Sequence, residues 1–377
     1  MAQPKIRMGI AAPPMPPMSN IRQLLWATRL LRLDSFLVWD HLQGLFPRFL
    51  WRKDVTWTAG QSPESHAFFD YQTVLGALAR QAGAVRLGVA VTEPVRRQPV
   101  VIAQAMLTLA HLTKRAPILG IGAGERENIE PYGLDFSQPV GRLEEALQVV
   151  RLCLDGQTHG PLNFEGRHFR LENAEMGLRA PKGRQPTIWV GGLGPRMLRL
   201  TGRYGDGWFP LGTLTPEQYG RKLAVVLEAA REAGRDPTAI LPALQPYLIV
   251  APTEREARAM LDTKIVRFMG LLAPAEAWRA AGRAHPFGEG FRGIVDFVPE
   301  RHSRDEIEAA IARVPLELAD TSGLLWGTPQ QVTAKLRQYG DAGMRYVVPQ
   351  PVSAMISRRA AFDSLRALRT IAHALAG

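Results

Sequence analysis

The chain is expected to fold as a (β/α)8 TIM barrel of the α/β class, on three observations. Eight near-continuously apolar runs, at residues 6–11, 35–39, 85–91, 117–122, 187–192, 207–211, 244–251 and 344–349, are separated by helical patterns. Unbroken rather than alternating apolarity marks strands buried on both faces of a parallel sheet, and eight rounds of strand and helix suit a closed barrel. Two of the runs also exit into glycines or ionisable residues, where parallel α/β folds carry their chemistry. An open doubly wound sheet is the alternative for the same alternation. The whole chain, residues 1–377, reads as one domain.

Taken in order, the first run leads into a short proline- and methionine-rich loop at 13–18, and the second ends in Asp40 and His41. Residues 42–69 follow, with Phe46, Phe49, Trp51, Trp57, Phe68 and Phe69 set among turn formers. The fourth run breaks into Gly120, Gly122 and Gly124, then into Glu125, Arg126, Glu127 and Glu130. After Pro139, Leu143, Leu147, Val150 and Leu154 form a helical stripe that Gly156 is expected to end. Thr215-Pro216-Glu217-Gln218 and Thr328-Pro329-Gln330-Gln331 read as capping boxes with proline at the first helical position. Thr253 to Glu256 and Ser303 to Glu306 have the same box form. A second long segment, 272–327, carries Trp278, His285, Phe287 and Trp326 between the seventh and eighth strands. Long loops in compact domains are usually functional, and here both insertions are expected to overhang the barrel mouth.

Composition narrows the function. With 46% hydrophobic and 21% charged residues, the 377-residue chain is that of a well-cored globular protein. The longest stretch free of charge, 98–113, is too short and too interrupted to span a bilayer. No secretory signal is evident at the N-terminus, and Cys153, the only cysteine, reads as a small core residue, so the expected compartment is the cytoplasm. The net charge of +11 comes from arginines dispersed along the chain without a nucleic-acid-binding signature, which favours an anionic small molecule over nucleic acid.

The candidate chemistry is a histidine and a glutamate at two strand ends. His41 titrates near neutrality and suits a general acid or base; Asp40 is placed to orient it or to bind a ligand; Glu125 is expected to converge on the same mouth. Gly191, Gly192, Leu193 and Gly194 follow the fifth run and open a segment with Arg196, Arg199 and Arg203, a pattern that makes an anion pocket. Neither glycine cluster is the dinucleotide fingerprint, and metal-ligand spacings, a P-loop and a nucleophile elbow are all missing from the sequence.

Asp40-His41, the segment 87–92 with 101–105, Gly122 to Glu125 with Asn128, Gly191 to Pro195 and Gly202 to Gly207 together resemble the luciferase-like superfamily of flavin and deazaflavin barrel enzymes. Within it, the chain is similar to the branch that uses coenzyme F420, and residues 124–127, 130–133, 194–199 and 345–348 carry a narrower likeness to its ketoreductases. The resemblance implies that Asp40 and the Ala90-Val91 backbone, at a bulge with a non-prolyl cis peptide, lie against the deazaflavin ring. It further implies that Glu125 and Asn128 face ring and substrate, that Gly191, Gly192, Leu193 and Gly194 cradle the cofactor phosphate, and that nearby arginines favour its poly-glutamate tail. His41, with Glu125 as second choice or partner, would protonate the carbonyl oxygen of a large apolar ketone. Sugar-phosphate dehydrogenases of the branch have a tryptophan four residues after the histidine; Leu45 stands there instead. A homodimer is implied by the family. An F420 enzyme acting on an alcohol or pterin, an FMN-dependent monooxygenase and a non-catalytic flavin-binding barrel are the alternatives.

Overall fold

A computed structural model describes residues 4–155, 160–212 and 214–377. Eight parallel strands close a barrel: β1 (Arg7–Met8 and Ile10–Ala12), β2 (Ser35–Val38), β3 (Arg86–Thr92), β4 (Ile118–Ile121), β5 (Thr187–Val190), β6 (Gly207–Trp208), β7 (Leu241–Leu244) and β8 (Tyr346–Val347). The two halves of β1 close the circle, since Arg7–Met8 pairs with β8 and Ile10–Ala12 pairs with β2. Between them lies Gly9, where a Cβ would sit 2.0 Å from the Ser35 hydroxyl oxygen. Only glycine lets the two strands approach that closely.

The reason for unbroken apolar runs is visible in the packing. One set of side chains, including Ala11, Leu37, Ala90, Ile118, Trp189, Phe209, Ala243 and Tyr346, forms a cluster inside the barrel. The alternate set, among them Phe36, Val38, Leu119, Ile121, Ile188, Val190, Leu244 and Val347, packs outward against the helices. The stripe predicted after Pro139 lies in helix Pro139–Asp155 and is buried, with Cys153 beside it; Gly156, expected to end that helix, lies outside the described residues. Three capping boxes form as expected, at Thr215, Ser303 and Thr328. The fourth differs: Glu256 donates its N–H to the Thr253 hydroxyl, but its carboxylate accepts from that same hydroxyl at 2.9 Å.

The seventh strand is displaced from its predicted place. Barrel pairing uses Leu241–Leu244, and the apolar run beyond it, Tyr247–Val250, leaves the barrel for a small parallel sheet with Leu325–Gly327 and Gln350–Pro351. Pro242 and Pro246 account for the displacement, because neither has an N–H to give a ladder, and proline in a strand weakens its sequence signature. An antiparallel hairpin, Leu162–Glu165 with Arg170–Ala174, was not anticipated. The segment after β7 is largely helical, with helices Lys264–Leu271, Ala275–Ala280 and Arg304–Ala312. It shares an apolar cluster with the segment after β2, joining Leu45 and Leu50 to Phe268, Trp278 and Phe297. The aromatic residues of the two insertions are therefore in large part the packing of one cover.

Candidate active site

Strands β2, β3, β4 and β5 are consecutive neighbours, so the residues that follow their C-terminal ends meet on one rim. The Gly122 N–H donates to the Thr92 carbonyl at 2.9 Å and the Gly191 N–H to the Ile121 carbonyl at 2.9 Å, tying these ends together. Past β4 the chain turns at Gly124, with φ +96°, where a Cβ would meet the Ile129 side chain at 2.7 Å. Two short 3-10 turns, Arg126–Asn128 and Glu130–Tyr132, then carry the acidic loop back toward β2.

Asn128 makes the join. Its Oδ1 accepts from the Leu42 N–H at 2.7 Å and the Gln43 N–H at 3.3 Å, while its Nδ2 lies 3.1 Å from Glu127 Oε1 and 3.2 Å from His41 Nδ1. His41 Nδ1 stands 3.0 Å from Glu127 Oε1, and His41 Nε2 stands 3.7 Å from Glu125 Oε2. Phe68, from the insertion after β2, stacks on the imidazole at 5.6 Å between centroids, and Trp39 flanks it at 5.6 Å. His41 and Glu125, 84 positions apart in the chain (125 − 41), thus meet at the same mouth.

Glu127 was not singled out from the sequence as a site residue. Its side chain is 0% exposed, against 27% for Glu125 and 12% for His41. The signal was present, two residues after Glu125, but acidic residues in a turn ordinarily face water. Electrostatics follow from this burial. Burial opposes the charged imidazole, but the Glu127 hydrogen bond and the charges of Glu125 and Glu127 outweigh it, raising His41 to about 9. Burial raises Glu127 to about 7 against the opposing pull of His41, and burial likewise raises Glu125. The Glu127 hydrogen bond and the two nearby carboxylates thus favour the charged form of the His41 imidazole. One ligand atom from each of the three lies within 4.8 Å of the others, a spacing that a cation also fits; His41 Nδ1 and Glu127 Oε1 are engaged with each other.

Asp40 is 4% exposed and fully engaged at the base of the rim. It accepts from Thr92 Oγ1 at 2.6 Å and pairs with Arg96 and Arg97, each at 3.2 Å. Arg96 is also held by buried Glu93, and Arg97 by Asp70 at 2.6 Å. The Ala90–Val91 peptide is cis and lies where the β3–β4 register shifts, between Val89 and Thr92. The Val91 side chain reaches toward β4 and β5, 3.3 Å from the place of a Gly122 Cβ and 3.7 Å from that of Gly191.

Gly191, Gly192, Leu193 and Gly194 form the turn after β5, and Gly194 caps helix Pro195–Tyr204 without a side-chain bond. A Cβ at Gly194 would meet nothing within 4 Å, so the helix's first turn is open. Two carbonyls in the turn are held from behind: Gly192 accepts from Trp208 Nε1 and Leu193 from Lys222 Nζ, each at 3.1 Å. Arg196 pairs with Glu144 at 2.6 Å, and Arg199 and Arg203 are exposed. Among the described residues no helix is long and apolar enough to cross a membrane.

Residues 51–346 match the family described as luciferase-like monooxygenase. A phthiodiolone/phenolphthiodiolone dimycocerosates ketoreductase of Mycobacterium sp. (strain JLS) is 42% identical over 327 residues, covering 85% of this chain and 84% of that protein. An F420-dependent glucose-6-phosphate dehydrogenase of Nakamurella multipartita is 30% identical over 352 residues, covering 92% and 91%. Among solved structures, an F420-dependent secondary alcohol dehydrogenase in complex with an F420-acetone adduct superposes with a TM-score of 0.74 over 97% of this chain and 99% of that one. Identity to it is 18%, so that likeness is one of fold. With the matched segment spanning β3 to β7, the second insertion and the first from residue 51 onward, the chain belongs to the luciferase-like monooxygenase family.

Proposed function

We propose that this protein is an F420-dependent ketoreductase that reduces the ketone of a large apolar, lipid- or polyketide-like substrate of phthiodiolone type to a secondary alcohol. The observation that carries the proposal is His41 at the barrel mouth, its Nδ1 3.0 Å from buried Glu127 and its Nε2 facing Glu125 at 3.7 Å. The names of the ketoreductase and of the F420-dependent dehydrogenase relatives support the reaction and the cofactor.

The residues at the mouth fit such a cofactor. Five buried side-chain nitrogen or oxygen atoms lack a hydrogen-bond partner among the described residues, and three of them are Trp39 Nε1, Gln43 Nε2 and Glu127 Oε2, on residues at this mouth. Buried polar atoms are rarely left unpaired without a role, and two of the three are donors suited to the carbonyl-rich edge of a deazaflavin. Bound F420 supplies the hydride for the carbonyl carbon. The chain's residues would do the rest: the Ala90-Val91 bulge would back the ring, and Asp40 fastens the ends of β2 and β3 through Thr92, Arg96 and Arg97. The turn from Gly191 to Gly194 offers a phosphate the backbone N–H groups of Gly192, Leu193 and Gly194, the Gly191 N–H being held by Ile121, and exposed Arg199 and Arg203 offer positive charge to an acidic tail. His41 gives its Nε2 proton to the carbonyl oxygen, and Glu127 keeps the Nδ1 proton in place.

Leu45 favours the apolar substrate over a sugar phosphate, because it is buried in the cover's apolar cluster rather than presented as a polar contact. A single-domain, cytoplasmic homodimer acting in lipid biosynthesis accompanies this reading. Fluorescence titration of the purified protein with oxidised F420 and with FMN tests the cofactor. Micromolar binding of F420 is expected; micromolar binding of FMN with no response to F420 would overturn the assignment in favour of a monooxygenase.

A further inference from the structure

The mouth has a second half. His41 and Glu125 follow β2 and β4 and the cis peptide lies near the end of β3, whereas Leu211 and Tyr247 lie just beyond the C-terminal ends of β6 and β7. Over that half lies a cavity of about 60 Å³, walled by Leu211, Tyr247, Ile249, Met269, Ile294 and Leu316, with helix Lys264–Leu271 as its roof. The one charged residue at its edge, Arg267, is spent on Asp262 at 2.5 Å and on the Val314 carbonyl at 2.9 Å. The cavity therefore offers methyl and methylene surface and almost no polar partner. Voids so lined forfeit packing contacts and hold apolar ligands rather than water.

Two features connect this cavity to the acidic loop. Ile294 sits in the turn Gly293–Val295, and Asp296 just beyond it accepts from Arg126 at 3.1 Å, the residue between Glu125 and Glu127. Tyr247, on the cavity wall, has its hydroxyl pKa pushed well up by burial and by the negative charges of Glu125 and Glu127. The cavity wall is thus tied to the acidic loop that carries Glu125 and Glu127.

We propose that this cavity is the subsite for an unbranched alkyl chain of the ketone substrate, with the carbonyl at His41 and the chain running under helix Lys264–Leu271. The inference rests on the ketoreductase reading and adds to it the place and chemistry of chain recognition. Selectivity then follows from length: each methylene newly buried raises kcat/KM by about three- to fourfold until the cavity is full.

The test is steady-state reduction of 2-butanone through 2-tetradecanone by reduced F420, in wild type and in Ala319→Phe, which puts a ring where Ala319 lines the cavity. Wild type is expected to show the rise with length. Ala319→Phe is expected to flatten it while 2-butanone turnover stays within about twofold, as for a site remote from the reacting atoms. Leu316→Trp serves as the second filling variant should Ala319→Phe not fold. An unaltered length dependence in a folded filling variant, or equal loss for short and long ketones, would overturn the proposal. Displacement of a bound fluorescent alkyl probe by 2-dodecanone separates the two readings. If no ketone is turned over but displacement occurs in wild type and not in the filling variant, the reaction falls and the subsite stands. No displacement from wild type sinks the subsite.

Discussion

A histidine as enclosed as His41 ordinarily sheds its proton, because burial disfavours the charged ring. Here two carboxylates reverse the outcome, and the one making the hydrogen bond is Glu127, which is itself pushed up to about 7 by burial. The signs follow directly. His41 is raised from 6.5 to about 9, so its contribution to stability is complete below pH 6.5 and lost as pH rises through 9. Glu127 is raised rather than depressed, so its contribution is present at acid pH and lost as pH rises through about 7. Replacing Glu127 with Gln removes the main upward influence and leaves burial opposing it. The alkaline limb of kcat/KM for ketone reduction should move from near 9 toward or below 6.5. At pH 8 that variant should lose roughly tenfold or more, with a far smaller deficit at pH 6. A pH profile with an unmoved limb would remove Glu127 from its positioning role. His41 and Glu125 were legible in the sequence because strand ends are where barrels place their chemistry. Glu127 was not, because only the return of the loop through Asn128 to Leu42 shows that its side chain turns inward.

At the scale of elements, the ends of β2 and β3 are fastened by Asp40, which serves Thr92, Arg96 and Arg97 at once. Removing one member of a buried ion network strands the others without water, a loss of about 3–5 kcal/mol. Asp40→Ala should therefore lower stability by about that much in denaturant unfolding, with Asp40→Asn recovering part of it through hydrogen bonds alone. Seven of the eight strands lie within about three residues of their expected bounds, since burial on both faces leaves an unbroken apolar run. The seventh shows the limit of that rule. Pro242 lies within the barrel strand and Pro246 just past its end, and the more apolar run behind them belongs to a different sheet. Capping boxes were equally readable, because they are contacts between residues three apart; the Thr253 variant shows how one hydroxyl can draw the carboxylate away from the backbone.

Over the whole molecule, two segments more than two hundred residues apart build one cover, a contact that no local pattern could reveal. Phe268 is its hinge point, meeting Phe46 from the first insertion at 5.1 Å and Phe297 from the second at 5.8 Å. Phe268→Ala should cost about 3–5 kcal/mol where the cluster cannot collapse. Hydrogen exchange should then speed up first in residues 264–312 while the barrel strands stay protected, because cover and barrel have separate apolar clusters. Uniform acceleration across barrel and cover would contradict that division.

In the proposed reduction a proton leaves His41 as hydride arrives beside it. The most direct measurement is single-turnover oxidation of reduced F420 by a long-chain ketone at pH 7.5, comparing wild type with His41→Gln at saturating F420. Loss of a positioned general acid should slow the variant about 10²- to 10⁴-fold with F420 affinity preserved. Equal rates in the two proteins would contradict it.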